Sequence, residues 1–156
     1  MKTISVKKGT ILQRKGDLNS KVYEVESGLI RSYTIDEKGK EHIYVFAPED
    51  WIIGDAGLPT TPCQLYIDAI EDSVLHVYEK DPELGLINKE MFRRRMEVLQ
   101  NRIMMLLGAS AIQRYEQFIE QYPDIVRRVP QRMIAAFLGV TPQALSKLKG
   151  ERKKKN

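Results

Sequence analysis

Apolar and polar side chains alternate with a period of two through most of the first eighty residues. The alternation is clearest in the segments KVYEVES, LIRSYTID, EHIYVFA, QLYIDAI and VLHVYEK. Such alternation is typical of β-strands that bury one face. Turn-forming pairs separate the segments, as at Lys8-Gly9, Ser27-Gly28 and Lys38-Gly39. Short strands joined by regular turns predict an antiparallel barrel or jelly-roll over residues 1–87.

The apolar spacing becomes helical after residue 87. Steps of four and three residues connect a set of large apolar side chains, which are Phe92, Met96, Leu99, Ile103 and Leu106. This spacing traces a narrow seam along one side of a helix over residues 88–109, and a narrow seam usually meets another helix. A helix of about 20 residues is roughly 30 Å long, which is more than a small barrel needs to cover itself. A parallel homodimer is therefore the preferred interpretation, and packing of the helix on its own barrel is the alternative.

Two further helical patterns follow this segment. The stretch SAIQRYEQFIEQYP has a wide apolar face, and Pro123 is expected to end its helix. Pro130 fits the first turn of the next helix, because a proline there has no intrahelical hydrogen bond to lose. QRMIAAFL continues that helix as far as Gly139, a residue that can adopt the left-handed conformation of a sharp turn.

The last helix is predicted to begin at the Thr141-Pro142 pair. Thr141 suits the N-cap and Pro142 suits the first helical position. The apolar positions of the two last helices have the spacing of a helix-turn-helix; they are Ile134, Leu138, Val140, Leu145 and Leu148, with the small Ala135 where the helices cross. The whole pattern thus predicts an α+β fold with a jelly-roll, a long dimerisation helix and a helix-turn-helix over residues 110–156. A helical hairpin inside a core has a similar pattern and is the alternative.

The polar side of the last helix has chemistry that suits DNA, since a helix-turn-helix presents its second helix to the major groove. Glutamine can pair with adenine, lysine can donate to guanine, and serine can address several bases. The predicted base contacts are therefore Gln143, Ser146 and Lys147. The predicted phosphate contacts are Thr141, Arg132, Lys149 and Arg152.

Charge is divided unevenly along the chain. Residues 127–156 hold nine basic side chains and one acidic side chain, a balance of +8, whereas the first 126 residues hold 16 basic and 20 acidic side chains, a balance of −4. Because each neutralised phosphate releases counterions, a basic segment of this kind suits a polyanion. For the final ERKKKN, a solvated tail is the alternative.

The remaining composition argues against metal, redox and enzymatic chemistry. Cys63 is the single cysteine, and His42 and His76 lie too far apart in sequence to make a convincing metal signature. We find neither a nucleophile and base constellation nor a glycine-rich phosphate loop, so we predict no enzyme and no metal. No apolar run approaches the roughly 20 residues of a membrane span, and MKTISVKKG lacks the apolar core of a signal peptide. We therefore expect a cytoplasmic protein that does not bind a membrane.

The order of these parts, and above all SAIQRYEQFIEQYPDIVRRVPQRMIAAFLGVTPQALSKLK, resembles the Crp/Fnr family of bacterial transcription regulators. VKKGTILQRKGD, VYEVESGLIRSY and DWIIGDAGL are similar to that family's cyclic-nucleotide-binding-like jelly-roll. The resemblance implies a homodimer whose helix-turn-helices read two half-sites of double-stranded DNA, with RNA polymerase as a further candidate partner. Ser110 to Lys149 is most similar to a short form found in Bacteroidetes-type bacteria. The wing that commonly follows the recognition helix, and the helix that commonly precedes the first strand, have no counterpart in these residues.

Nucleotide-binding members of that family use a Gly-Glu pair for the ribose and an Arg-Ser pair for the cyclic phosphate. By resemblance, the effector pocket falls at Gly54-Asp55, with a shorter acid, and at Cys63-Gln64, without the arginine. No lysine or arginine occurs from Glu41 to Glu79, and a buried phosphate needs a cation or several converging amides. We therefore expect no cyclic nucleotide cofactor, and the identity of any other small-molecule effector stays open.

Three functions compete at this point. The leading hypothesis is a sequence-specific DNA-binding transcription regulator that acts as a homodimer with an altered effector pocket. The second is a signalling module that binds a cyclic nucleotide or another small molecule and whose terminal helices are structural. The third is a nucleic-acid binder driven by the basic end, with a steep salt dependence and little sequence preference.

Overall fold

The structure, a computed structural model, describes the backbone of residues 1–80 and 89–155 and the side chains of residues 1–80 and 93–152. The chain divides into two compact units, Met1–Ile87 and Asn88–Asn156. The described residues form β-strands in the first unit and α-helices in the second, which agrees with the predicted α+β fold.

The β unit consists of two four-stranded antiparallel sheets. Its strands are β1 (Lys2–Val6), β2 (Ile11–Gln13), β3 (Lys21–Ser27), β4 (Ile30–Ile35), β5 (Glu41–Ala47), β6 (Ile52–Gly54), β7 (Tyr66–Ala69) and β8 (Ser73–Glu79). The strand order is β1-β8-β3-β6 in one sheet and β2-β7-β4-β5 in the other. The sequence pattern predicts five of these strands and omits β1, β2 and β6, two of which are too short to show a period.

The alternation of β3 decides which of its side chains are buried. Tyr23 and Val25 are in the core, whereas Glu24 between them is only partly buried. A cluster of buried residues draws on both sheets; its members are Tyr23, Val25, Ile30, Ala47, Ile53, Ile67, Ala69 and Leu75. Burial of this apolar surface is the main term that stabilises the unit.

A buried ion-pair cluster lies at the centre of the second sheet. Arg31 of β4 is 5% exposed, and its guanidinium donates to both carboxylate oxygens of Asp68, at 2.8 and 3.0 Å, and to Glu41 at 2.6 Å. The same guanidinium lies 4.1 Å from the centre of the Tyr33 ring. Burial by itself would lower the pKa of Arg31, but the hydrogen bonds to the two carboxylates raise it overall.

The helices of the second unit are α1 (Lys89–Gly108), α2 (Ala111–Gln121), α3 (Pro123–Arg128), α4 (Gln131–Leu138) and α5 (Pro142–Lys155). Ser110 caps α2 through a reciprocal capping box with Gln113. Pro123 follows the end of α2, as predicted, and also begins α3, which the sequence pattern does not indicate. The prediction for Pro130 is wrong by one position: this residue is the N-cap of α4, in an extended conformation, and the first helical turn starts at Gln131.

Candidate nucleic-acid interface and effector loop

The turn between α4 and α5 follows from three local features. Gly139 has φ 69° and ψ 31°, the left-handed conformation that ends α4. Thr141 then accepts a hydrogen bond from the N–H of Ala144 at 3.1 Å, which caps the start of α5. Ile134, Leu138 and Leu145 are almost completely buried, and they hold the two helices together.

The outward side of α5 is formed by the three residues predicted to contact bases. Gln143, Ser146 and Lys147 are all exposed, whereas Leu145, on the opposite side of the helix, is 1% exposed. Gly150 occupies the next outward position one turn later. A Cβ atom added to Gly150 would meet no other atom of the described chain within 4 Å, so the protein itself does not require glycine there.

The four predicted phosphate contacts do not share one environment. Arg132 and Thr141 are exposed, whereas Lys149 and Arg152 are half-buried on the side of α5 that carries Leu145. Burial raises the pKa of Tyr115, and the positive charge of Arg152 partly offsets this effect, so Arg152 lies close to α2. Arg132 is therefore the most accessible of the three cations in this set.

The seam of α1 is exposed in the single chain. Leu99 is half-buried, and Phe92 lies outside the described side chains. The more exposed apolar residues of the helix are Met96 at 50%, Ile103 at 57%, Leu106 at 40%, Met104 at 61% and Leu107 at 84%. Leu107 continues the seam four residues after Ile103, and the sequence interpretation omits it although the same step of four would have indicated it.

The opposite side of α1 faces α2 and α4. A groove of about 770 Å³ lies there, and half-buried Val98 and Met105 of α1 line it together with Phe118 of α2. Apolar residues of the described part of α1 thus occupy two sides of the helix: Val98 and Met105 line the groove, whereas Ile103 and Leu107 are exposed.

Arg102 links α1 to the first helix of the helix-turn-helix. Its guanidinium donates to the backbone carbonyl of Phe137 at 2.8 Å and lies 3.7 Å from the centre of the Phe137 ring. Phe137 in turn packs on Phe118, with ring centres 5.1 Å apart. The sequence pattern places Arg102 on the charged flank of the seam and does not indicate this contact.

The effector loop, residues 54–65, is organised around the carboxylate of Asp55. This side chain is 7% exposed, and it accepts hydrogen bonds from the N–H groups of Gly57 at 2.8 Å, Gln64 at 2.7 Å and Leu65 at 3.1 Å. Burial would raise the pKa of Asp55, but these donors and the charge of Lys80 outweigh burial and lower it below its ordinary value. The structure therefore brings the predicted pocket residues Asp55 and Gln64 into direct contact.

Lys80 supplies the cation of this loop. Its ammonium donates to Ser20 Oγ at 2.6 Å, to the carbonyl of Asp55 at 2.6 Å and to the carbonyl of Gly57 at 2.7 Å. The sequence interpretation misses Lys80, which lies one residue beyond the stretch without basic residues. The charge of Lys80 also acts on the thiol of Cys63, which lies within that stretch.

Cys63 is 2% exposed, and burial raises the pKa of its thiol. A raised pKa keeps the sulfur protonated at neutral pH, so it is a weak nucleophile there. The two histidines have protein partners: His42 pairs with Asp36 at 2.9 Å, and His76 contacts Thr3 at 3.0 Å. Within the described residues, no group of three or more His, Cys, Asp or Glu side chains could hold a metal ion.

Several donors of this loop are already engaged by acceptors of the chain itself. The amides of Gln64 and Leu65 already bind the Asp55 carboxylate, and Cys63 and Gln64 provide no guanidinium for a phosphate. Among the described residues, the ammonium of Lys80 donates to three protein acceptors, and an ammonium has three N–H groups. None of the helices in residues 89–155 has the length and apolar character needed to cross a membrane.

The chain is similar in sequence to one domain family and to known regulators. Residues 3–90 match the cyclic nucleotide-binding domain family. Transcriptional activator protein FnrA of Stutzerimonas stutzeri is 31% identical over 109 residues, which cover 65% of this chain and 45% of FnrA. Electron transport regulator A of Shewanella oneidensis is 26% identical over 165 residues, which cover 93% of this chain and 66% of that protein. This chain thus spans between 45% and 66% of the length of these two relatives.

Comparison of structures supports the fold. A transcriptional regulator of the CRP/FNR family from Thermus thermophilus superposes with a TM-score of 0.82 at 19% identity, over 99% of this chain and 87% of that one. The predicted jelly-roll with a helical carboxy-terminal region is therefore confirmed. The relatives named here are regulators, which agrees with the prediction that the chain is not an enzyme.

Proposed function

Because this chain belongs to the cyclic nucleotide-binding domain family, among its Crp/Fnr-type members, we propose that it is a cytoplasmic, homodimeric transcription regulator that binds DNA sequence-specifically. The observation that carries the proposal is the outward side of α5. Gln143, Ser146 and Lys147 are exposed there, while Leu145 anchors the opposite side in the core. On the second helix of a helix-turn-helix, such a face is available to base edges in the major groove.

The exposed seam of α1 supports the dimer. Met96, Ile103 and Leu107 are each at least half exposed in one copy of the chain. Pairing with the same seam of a second copy removes this apolar surface from water, which favours association. Two-fold symmetry then gives the dimer two recognition helices for a palindromic site.

Arg102 offers a physical route from the dimer seam to the DNA-reading helices. It belongs to α1, yet its guanidinium holds the carbonyl of Phe137 near the end of α4, two residues before the turn at Gly139. A displacement of α1 on dimerisation therefore acts directly on the helix that supports α5. Regulation of this kind requires that a partner or effector bind one arrangement of α1 more tightly than another.

Selection of binding sites from a random DNA pool with the purified full chain tests the function. We expect a palindrome, and we expect Lys147→Ala to weaken binding to it by about 1–3 kcal/mol in gel-shift titrations. Lys38→Ala is the matched control, because it removes the same charge from an exposed turn of the β unit. We expect this control to bind the selected site with nearly the affinity of the wild type.

Other outcomes would replace the proposal. If the wild type and Lys147→Ala bind every sequence equally, with a steep salt dependence, the chain is a nonspecific nucleic-acid binder. If the full chain binds no DNA at all, its terminal helix pair is structural and the chain is a signalling module.

A further inference from the structure

The geometry of the effector loop points to an internal anion. We infer that the carboxylate of Asp55 occupies the anion site of this loop permanently, and that the chain for this reason does not take a cyclic nucleotide. Three N–H groups converge on the carboxylate, from Gly57, Gln64 and Leu65, at 2.7 to 3.1 Å. Converging amides of this kind are what proteins use to bind phosphate or carboxylate ligands. In this chain the ligand is a side chain of the same loop.

Gly57 allows the carboxylate to approach so closely. A Cβ atom at Gly57 would lie 2.7 Å from Thr61 Oγ1 and 3.2 Å from Asp55 Oδ1, which is closer than such atoms normally approach. The turn is therefore packed around the bound carboxylate. This close packing, together with the short side chain of Asp55, leaves little space between the amides for an external anion.

Lys80 closes the opposite side of the loop. Its ammonium holds the carbonyls of Asp55 and Gly57, and also Ser20 Oγ, all within 2.7 Å. These contacts fix the backbone on both sides of residue 56 and place a positive charge near the buried carboxylate. A buried carboxylate with a cation and three N–H donors is well compensated for its lost hydration.

An incoming phosphate would have to displace Asp55 from the amides of Gln64 and Leu65. The displaced carboxylate would lose its hydrogen bonds and stand beside a second anion in a partly buried site, and both changes are unfavourable. The inference does not depend on DNA binding, because it concerns only residues of the β unit.

Calorimetric titration of the full chain with cyclic AMP, cyclic GMP and inorganic phosphate tests this inference. We expect no binding to the wild type at millimolar ligand. Asp55→Ala leaves the three N–H groups and Lys80 in place, so this variant should bind inorganic phosphate at least about tenfold more tightly than the wild type. Asp55→Asn is the matched control, because its one side-chain oxygen can still accept from the amides of Gln64 and Leu65, and it should not gain phosphate affinity.

Two results would overturn the inference: binding of either cyclic nucleotide to the wild type, or a folded Asp55→Ala variant that gains no phosphate affinity. Trp51 fluorescence and circular dichroism report whether that variant is folded. If it is unfolded, amide NMR of the wild type decides the matter. The amide resonances of Gln64 and Leu65 should then shift together with protonation of the Asp55 carboxyl as the pH falls, and resonances that do not follow this titration contradict the inference.

Discussion

Two glycines of the helix-turn-helix should respond to alanine in opposite directions. Gly139 has φ 69°, and an alanine in the left-handed conformation is strained by about 1–2 kcal/mol. Space is not the limiting factor there, because the nearest atom to an added Cβ would be Arg114 Nη1 at 3.7 Å. We therefore expect Gly139→Ala to lower the free energy of unfolding by about 1–2 kcal/mol through backbone strain alone.

Gly150 is the matched control within the same unit. It lies inside α5, and an added Cβ would meet no described atom within 4 Å. Alanine in a helix interior is more favourable than glycine by about 0.8–1.0 kcal/mol, and somewhat less near a fraying end. We therefore expect Gly150→Ala to raise the free energy of unfolding by about 0.5–1 kcal/mol.

Urea denaturation of the full chain, followed by far-ultraviolet circular dichroism, measures both variants. Trp51 fluorescence follows the β unit separately, since Trp51 is the single tryptophan. A Gly139→Ala variant as stable as the wild type would refute the left-handed turn, and a destabilising Gly150→Ala would refute a helix that continues through this residue.

Gly150→Ala also has a DNA readout. The added methyl group projects from the same side of α5 as Gln143 and Lys147, so a helix that lies against DNA should lose affinity for its selected site while the protein gains stability. If the variant binds the selected site as tightly as the wild type, this part of α5 does not approach the DNA closely.

Three further predictions concern other parts of the chain. Arg31→Met leaves the largely buried carboxylate of Asp68 without its guanidinium partner. Urea denaturation should therefore show a free energy of unfolding about 3 kcal/mol lower than that of the wild type, and an unchanged midpoint would contradict this. The pKa of Asp55 is lowered in the folded protein, so its carboxylate stabilises the fold above the ordinary pKa, and this stabilisation is lost as the pH falls through the lowered pKa. The free energy of unfolding of the wild type should therefore exceed that of Asp55→Asn by less and less below about pH 4 in denaturation experiments. A difference that stays constant with pH would refute this. Leu107→Glu places a charge in the exposed seam and should convert the dimer to a monomer in sedimentation velocity. The control Gln121→Glu adds the same charge at another exposed position of the unit and should leave the dimer intact. A dimeric Leu107→Glu would exclude this seam as the dimer interface.

Several elements could be predicted because their cause is local. β3 and β5 have the bounds of the segments KVYEVES and EHIYVFA. In β3, Tyr23 and Val25 are buried and Glu24 between them is only partly buried, as local alternation predicts. Gly139 and Thr141 take the predicted positions at the turn, because a left-handed residue and an N-cap depend on immediate neighbours.

Other features had a local signal that the sequence interpretation did not use. Ser110 and Gln113 have the spacing of a capping box, and Leu107 continues the seam of α1. β1 has apolar residues at the alternating positions Ile4 and Val6. It lies at the edge of its sheet and is mostly exposed, so its alternation of apolar and polar residues is weak.

The sequence by itself determined the elements of this protein: the alternating strands, the amphipathic helices, and the glycine and threonine that form the turn before α5. Their cause lies in residues within a few positions of one another. Only the tertiary structure decided which distant groups meet, because strand register and helix packing set these contacts. They bring Lys80 to the loop of Asp55, 25 residues away, and Arg102 to the carbonyl of Phe137, 35 residues away. Helix packing also makes Lys149 and Arg152 half-buried. Helical spacing places them on the side of α5 that carries Leu145, but it does not reveal what packs against them.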